Sequence, residues 1–191
     1  MARNTTAARP DPVAVGSGPA TSAAATVWLT GLPSAGKTTV GRALVQRLRD
    51  AGHAAELLDG DELRAALGRE LGFSREDREE NVRRIGYVAE LLSRNGVIAV
   101  CSVISPYRSA RDEVRALHGD RFVEVWVATP VEVCSERDVK GLYARHRAGE
   151  VRSLTGVDDP YEEPLDPEVV LPTQQMTVDD AVEVLWDRLF S

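Results

Sequence analysis

The sequence predicts an α/β fold: a five-stranded parallel sheet with helices on both faces. Three observations predict it. Short apolar runs rich in β-formers alternate with segments of helical spacing, the pattern that yields parallel strands joined by crossover helices. Two of these runs, 97–103 and 122–128, are almost continuously apolar, as strands buried on both faces are. Between the first run and the first helical segment stands Gly31-Leu32-Pro33-Ser34-Ala35-Gly36-Lys37-Thr38, a complete match to the phosphate-loop pattern G-x-x-x-x-G-K-[ST].

The elements follow in order. Residues 26–30, Thr-Val-Trp-Leu-Thr, form the first strand. After the glycine loop, residues 39–49 have helical spacing, apolar at Val40, Ala43, Leu44 and Leu48. Strand, loop and helix together are the context the motif requires. Backbone N–H groups of such a loop, with the helix N-terminus, converge on an anion. This places ATP along Gly31, Leu32, Pro33, Ser34, Ala35, Gly36, Lys37, Thr38 and Thr39. Lys37, expected to stand in solvent until a nucleotide binds, would reach the β- and γ-phosphates, and the Thr38 hydroxyl would bind Mg²⁺. An ordinary glycine-containing turn would explain the glycines but not the Lys-Thr pair.

A second strand over 54–58 ends at Asp59-Gly60-Asp61, and 61–67 suit a short helix. Residues 68–73 read as a loop. Ser74 and Asp77 make an S-x-x-D start to a long helix ending near Arg94, with Val82, Ile85, Val88, Ala89 and Leu92 as its apolar stripe. Asn95-Gly96 stops it. Then come the strand 97–103, a helix over 107–117, the strand 122–128 and a short helix over 131–137. Residues 138–164 are polar, basic and punctuated by glycine, as a mobile lid would be. Residues 168–171 form the last strand and 178–190 the closing helix. A five-stranded parallel sheet behind a phosphate loop is the nucleotide-kinase branch of the P-loop fold. Ligands in such sheets bind beyond the carboxyl ends of the strands.

Residues 1–25 are rich in Ala, Thr, Pro, Gly and Ser, without periodicity, and read as a disordered tail; 26–191 read as one kinase domain. Arg3 and Arg9 are followed by no apolar stretch of the secretory kind. No run approaches the length of a membrane span. The formal charge of −7 argues against a general nucleic-acid coat but leaves room for local anion sites. Cys101 and Cys134 lack metal spacing and read as two buried thiols of a cytoplasmic protein.

A phosphate loop alone binds nucleotide; the reaction must come from elsewhere. Phosphoryl transfer needs a carboxylate near the acceptor hydroxyl and cations on the oxygens that gain charge. Asp61 and Arg64 share a helix face beyond the second strand. A purely structural account makes Asp61 a helix N-cap and Arg64 a solvated charge. Arg78 and Asn81 share a face of the long helix, but Glu76, Asp77, Glu79 and Glu80 surround Arg78 and could brace it as surface ion pairs. Phe73, just before that helix, is a base-stacking plate or a hydrophobic staple. Lys140, Arg145, Arg147 and Arg152, set among glycines, fit a flap over phosphates or a solvated loop.

Taken in order, Gly-Leu-Pro-Ser-Ala-Gly-Lys-Thr, Leu-Asp-Gly-Asp, Leu-Gly-Phe-Ser-Arg-Glu-Asp-Arg-Glu-Glu-Asn-Val-Arg-Arg-Ile, Ile-Ser-Pro-Tyr-Arg, Lys-Gly-Leu-Tyr and Thr-Gly-Val-Asp-Asp-Pro-Tyr-Glu resemble adenylylsulfate kinases. The resemblance runs from about Val27 to the C-terminus. It implies transfer of the γ-phosphate of ATP, with Mg²⁺, to the 3′-hydroxyl of adenosine 5′-phosphosulfate, as part of sulfate activation. It also implies a homodimer. In the family's pattern Asp61 is the catalytic aspartate near the 3′-hydroxyl and the metal, with Lys37 on the donor side. Arg64, Arg78 and Asn81 hold phosphosulfate and sugar, and Phe73 stacks on the substrate adenine. Ile104 and Ser105 form the turn beside the substrate, Ser105 in a structural or binding role. Lys140 reaches phosphates of both ligands, and Arg137 neighbours the ATP adenine.

Two positions depart from the family's pattern. Ala35 removes a hydroxyl from the phosphate loop. Leu154 stands where a Phe usually covers the second face of the substrate adenine, so it is expected to give apolar contact without stacking. Rival readings are a related kinase of another nucleotide-like alcohol, a catalytically silent nucleotide-binding regulator, and an ATPase switch. Intact Lys37, Thr38 and Asp61 argue against the silent protein. An ATPase switch leaves the acceptor-side residues unexplained.

Overall fold

A computed structural model describes residues 25–191. The expected tail, 1–25, lies outside the described residues except for Ala25, which is buried and whose carbonyl accepts the Ala99 N–H at 3.0 Å. The strands are β1 (Thr26–Thr30), β2 (Ala55–Asp59), β3 (Ile98–Ser102), β4 (Phe122–Val127) and β5 (Val169–Leu171). The helices are α1 (Lys37–Asp50), α2 (Gly60–Leu67), α3 (Arg75–Arg94), α4 (Arg108–His118), α5 (Val131–Arg137), α6 (Leu142–Arg147) and α7 (Val178–Phe190). A 3₁₀ turn, Gly119–Arg121, leads into β4. Among the described residues no helix is long and apolar enough to cross a membrane.

The sheet has five strands, all parallel, in the order β2-β3-β1-β4-β5. β1 is central and every one of its residues is buried, which fits its Thr-Val-Trp-Leu-Thr run without a charged residue. The chain leaves β1 towards β2 and β3 on one side and towards β4 and β5 on the other. That reversal opens a crevice at the carboxyl end of β1, and the phosphate loop lies there.

Two apolar cores flank the sheet. One joins Val27 and Leu29 of β1 to Leu44 and Leu48 of α1 and Leu185 and Leu189 of α7. The other gathers Trp28, Val82 and Ile85 of α3, Val114 of α4, and Phe122. The stripe expected on α3 faces this second core. Gly86 lets α3 and α4 meet, since a Cβ there would lie 2.6 Å from Val114 Cγ2.

Helix ends follow the local sequence. Ser74 caps α3 by accepting the Asp77 N–H at 3.2 Å. Thr177 and Asp180 form a reciprocal capping box on α7. At the end of α3, Gly96 takes φ 85°, a left-handed conformation cheap only for glycine.

The structure differs from expectation in the lid segment. Within 138–164 it contains α6. Asp138, at the end of α5, braces its first turn, the carboxylate accepting the N–H groups of Tyr143 (3.0 Å) and Ala144 (2.8 Å). Tyr143 is buried in the first core and its hydroxyl donates to Pro33 O at 3.1 Å. One buried side chain in so short a helix leaves no readable periodicity. The base of the lid is therefore fastened to the phosphate loop.

The close approach at Gly86 makes a direct test. Gly86→Val should destabilise by about 1–3 kcal/mol, the usual cost of overpacking. Pairing it with Val114→Ala should recover part of that in denaturant unfolding. Unchanged stability in the single variant would contradict the packing.

Candidate active site

A cleft of about 450 Å³ opens at the carboxyl ends of β1, β2 and β3. Most residues expected at the site line it: Pro33, Ser34, Gly36, Lys37, Thr38, Thr39, Asp61, Arg64, Phe73, Arg78, Asn81, Ile104, Ser105, Arg137 and Lys140. Gly31, Leu32, Ala35 and Leu154 do not.

Gly31, Leu32 and Ala35 form the underside of the phosphate loop. A Cβ at Gly31 would come within 2.6 Å of Val127 O, so only glycine lets the loop leave β1 beside β4. The Leu32 side chain turns away from the cleft and packs against the first core. Ala35 is fully buried, and its carbonyl accepts from Thr129 Oγ1 (3.0 Å), Thr173 Oγ1 (2.8 Å) and Arg137 Nη1 (3.3 Å). The hydroxyl missing at Ala35 would thus face protein, and its loss leaves the nucleotide side of the loop unchanged.

Lys37 is not in solvent, contrary to expectation. It is 8% exposed, and its ammonium donates to Gly31 O at 2.8 Å and Leu32 O at 2.7 Å. The loop wraps the side chain, and its carbonyls replace water. Burial pushes the Lys37 ammonium down to about 8; Lys140 adds to the fall, while Cys134, Asp61 and Asp59 oppose it.

The Asp59-Gly60-Asp61 turn separates two carboxylates that the sequence left undivided. Asp59 is the N-cap of α2: its Oδ1 accepts the Asp61 N–H at 3.0 Å. Its Oδ2 accepts the Thr38 hydroxyl at 2.9 Å. Capping is therefore done by Asp59, and Asp61 is free of it. Asp61 is exposed and forms an ion pair with Lys140 across the mouth of the cleft. Thr38 and Asp59, with Asp61 on the adjacent turn, are hard oxygen donors of the kind Mg²⁺ takes alongside phosphate and water. Asp59 was missed as a site residue; its place at the carboxyl end of a strand was the available signal.

Elsewhere along the cleft Phe73 is 68% exposed, flanked by the Arg64 guanidinium 4.8 Å from the ring centroid and that of Arg78 at 5.8 Å. An exposed ring is no hydrophobic staple. Arg64 donates to Leu71 O at 3.2 Å and to Gly72 O. Arg78 does not pair with the glutamates around it. Nε donates to Phe73 O (3.0 Å), Nη1 to Thr155 Oγ1 (2.6 Å), and Nη2 to Ser153 O (2.6 Å) and Asp159 Oδ2 (2.9 Å). It pins the lid segment to α3 at the edge of the cleft. Asn81, on the same face, is buried at the cleft wall.

Ser105 is 1% exposed with φ 40°; its hydroxyl accepts from Trp28 Nε1 (3.1 Å) and donates to Thr30 Oγ1 (2.9 Å). The side chain is a strut, and the turn meets the cleft beside it.

Leu154 overturns the expectation of a contact with the substrate base. It is 5% exposed and belongs to the first core, away from the cleft. Ser153, at φ 59°, turns the chain so that Leu154 enters the protein while its carbonyl accepts the N–H groups of Val157, Asp158 and Asp159. Sequence reasoning also missed Thr173, Met176 and Val178, which line the cleft after β5, Thr173 beside Gly36 of the phosphate loop.

The depressed Lys37 pKa gives a measurable consequence. Phosphate charge beside Lys37 should raise its pKa from about 8 back towards the ordinary 10.5. Binding of ATP should then take up protons between those two pH values and not well below the lower one. Calorimetry in buffers of different ionisation enthalpy would show it; proton release, or none within that window, would contradict it.

The Adenylylsulphate kinase family model matches residues 23–172. The chain is 58% identical over 164 residues to adenylyl-sulfate kinase of Rippkaea orientalis, covering 86% of this chain and 90% of that one. It is 54% identical to a probable adenylyl-sulfate kinase of Synechocystis, covering 86% and 92%. Among solved structures it superposes on the Mycobacterium tuberculosis APS kinase CysC in complex with AMPPNP and APS with a TM-score of 0.83, at 41% identity, covering 86% of this chain and 96% of that one. With the family model matched over most of the chain and the phosphate loop, Asp-Gly-Asp turn and Phe73 cluster assembled around one cleft, the chain belongs to the adenylylsulphate kinase family.

Proposed function

We propose that this protein transfers the γ-phosphate of ATP to the 3′-hydroxyl of adenosine 5′-phosphosulfate, releasing ADP and 3′-phosphoadenosine 5′-phosphosulfate. The observation that carries the reading is a two-ended cleft. A phosphate loop closes one end, an exposed aromatic ring between two guanidinium groups forms the other, and the Asp61–Lys140 pair lies between them. The related Mycobacterium tuberculosis enzyme, solved with AMPPNP and APS, supports the same pairing of ligands.

The roles follow from position. Loop N–H groups and Lys37 bind the β- and γ-phosphates and oppose charge that develops on the transferring group. Arg137 and Thr173 border the adenine end of ATP. Mg²⁺, held by Thr38 and the Asp59–Asp61 turn, would neutralise the β- and γ-phosphate oxygens. Phe73 stacks on the acceptor adenine, and Arg64, Arg78 and Asn81 hold its phosphosulfate and sugar. Asp61 orients the 3′-hydroxyl and accepts its proton, and Lys140 leaves Asp61 for the phosphates. The lid, docked through Arg78, excludes water that would otherwise consume ATP. The rival acceptor suggested by Leu154 loses its basis, because that side chain lies in the core. We also propose a cytoplasmic homodimer. The free, buried Cys101 and Cys134 suit a reducing compartment.

The direct test incubates purified protein with ATP, Mg²⁺ and adenosine phosphosulfate and follows ADP and the 3′-phosphorylated product, with other nucleosides as competing acceptors. Equal use of those competitors would defeat the reading. Since Asp59 does the capping, Asp61→Asn should leave thermal stability unchanged while the rate falls by about 10² or more, the scale of general-base loss. A fully active variant would remove Asp61 from the mechanism. Arg78→Ala should raise KM for adenosine phosphosulfate more than KM for ATP, through loss of charge-assisted bonds. Equal changes in both constants would count against its place on the acceptor side.

A further inference from the structure

We infer that Arg111, which lines no part of the cleft, is the positioning residue of the acceptor side. Arg111 lies on α4 and is 2% exposed. Its Nε donates to Glu124 Oε1 of β4 at 2.7 Å, Nη1 to Ser105 O at 2.6 Å, and Nη2 to Glu162 O at 2.6 Å. One planar guanidinium thus joins the sheet, the cleft-lining turn after β3 and the end of the lid segment. A buried ion pair seldom stabilises more than an apolar pair of the same volume. What the pair does supply is geometry, because the rigid fork of arginine fixes several acceptors at once.

The charge is held from behind. Glu124 Oε2 accepts from Arg115 Nη2 at 3.0 Å, Arg115 also pairs with Glu168, and Glu168 accepts the Glu124 N–H at 2.6 Å. In front, the turn and the lid end are stitched together. Glu162 N–H donates to Pro106 O at 2.8 Å, and Arg108 N–H to the Glu162 carboxylate at 2.8 Å. Three residues before Glu162, Asp159 holds Arg78. Ser105 sits at φ 40°, a conformation that surrounding contacts must enforce in a non-glycine residue. Arg111 therefore sets both the turn beside the acceptor and the segment that aims Arg78. The phosphate loop itself is held by Thr129, Thr173 and Tyr143, none of which bonds to Arg111 or Glu124. The turn meets the strand before that loop through the Ser105 hydroxyl and the Ile104 carbonyl on Thr30 Oγ1, whereas Arg111 holds the Ser105 carbonyl. Damage at Arg111 should reach the acceptor side and spare the donor side.

This inference rests on the adenosine phosphosulfate reading of the cleft. Its test uses Arg111→Lys, which keeps the charge but cannot span its acceptors, and Arg111→Met with Glu124→Gln, which removes both charges. Both should raise KM for adenosine phosphosulfate by about ten- to a hundredfold, the scale of a small misplacement relayed from a distance. KM for ATP should not change. Equal rises in both constants, or no rise, would overturn the inference. Should either variant fail to fold, hydrogen exchange in the wild-type protein decides. The Arg108 and Glu162 amides should gain protection together on adding adenosine phosphosulfate, and neither with ATP alone; separate responses overturn the inference. A wild-type protein inactive on adenosine phosphosulfate overturns the functional reading and this one with it. An active wild type with unselective variants overturns this one alone.

Discussion

The site depends on how one carboxylate is divided. Asp59 gives one oxygen to the first turn of α2 and the other to the Thr38 hydroxyl at the start of α1. A single side chain therefore fixes the phosphate loop relative to the helix that carries Asp61. With capping assigned to Asp59, the Asp61 carboxylate is left to face the cleft, where Lys140 meets it from the base of the lid. This junction sets the position of Asp61 relative to the phosphate loop. The junction in turn stands on β2 and β1, whose carboxyl ends the sheet order places on either side of β3.

Around that junction the two halves are built differently. The phosphate loop is rigid: Lys37 is wrapped by loop carbonyls, Tyr143 reaches Pro33, and Ala35 is held from Thr129 and Thr173. An arrangement of this kind presents N–H groups to phosphate with little reorganisation, the condition for electrostatic stabilisation of a developing charge. The acceptor half is made of longer side chains on separate elements, joined by arginines. Arg78 ties α3 to the lid, and Arg111 ties the lid to the turn after β3. Arginine suits this work because its donors are fixed in a plane and its charge is permanent. Through these contacts α3, the segment 153–162 and the turn after β3 form one connected unit.

Much of this was readable from the chain because the signals are local. The phosphate loop lies between a strand and a helix within a dozen or so residues, and β3 and β4 announce themselves by unbroken apolar runs. Ser74 and Asp77 marked the start of α3 by side chains that bond within one turn. What stayed hidden depends on contacts between distant segments. Asp61 and Asp59 are equally good caps by composition, and only the backbone at the end of β2 decides between them. Burial of Lys37 follows from the path of the loop. Leu154 reads as a base contact because its neighbours match a pattern, whereas the left-handed turn at Ser153 sends it into the core. Arg111 reads as one more charge on a basic helix until Glu124, Ser105 and Glu162 converge on it.

The central claim is that Asp61 meets the acceptor's 3′-hydroxyl in line with the phosphate held by the loop. A crystal structure of the complex with adenosine phosphosulfate, Mg²⁺ and a non-hydrolysable ATP analogue measures this most directly. The account predicts the 3′-oxygen within hydrogen-bond reach of the Asp61 carboxylate and about 3–3.5 Å from the γ-phosphorus, with the acceptor adenine on Phe73. An acceptor bound with its 3′-hydroxyl turned away from Asp61, or with its base elsewhere than on Phe73, would contradict it.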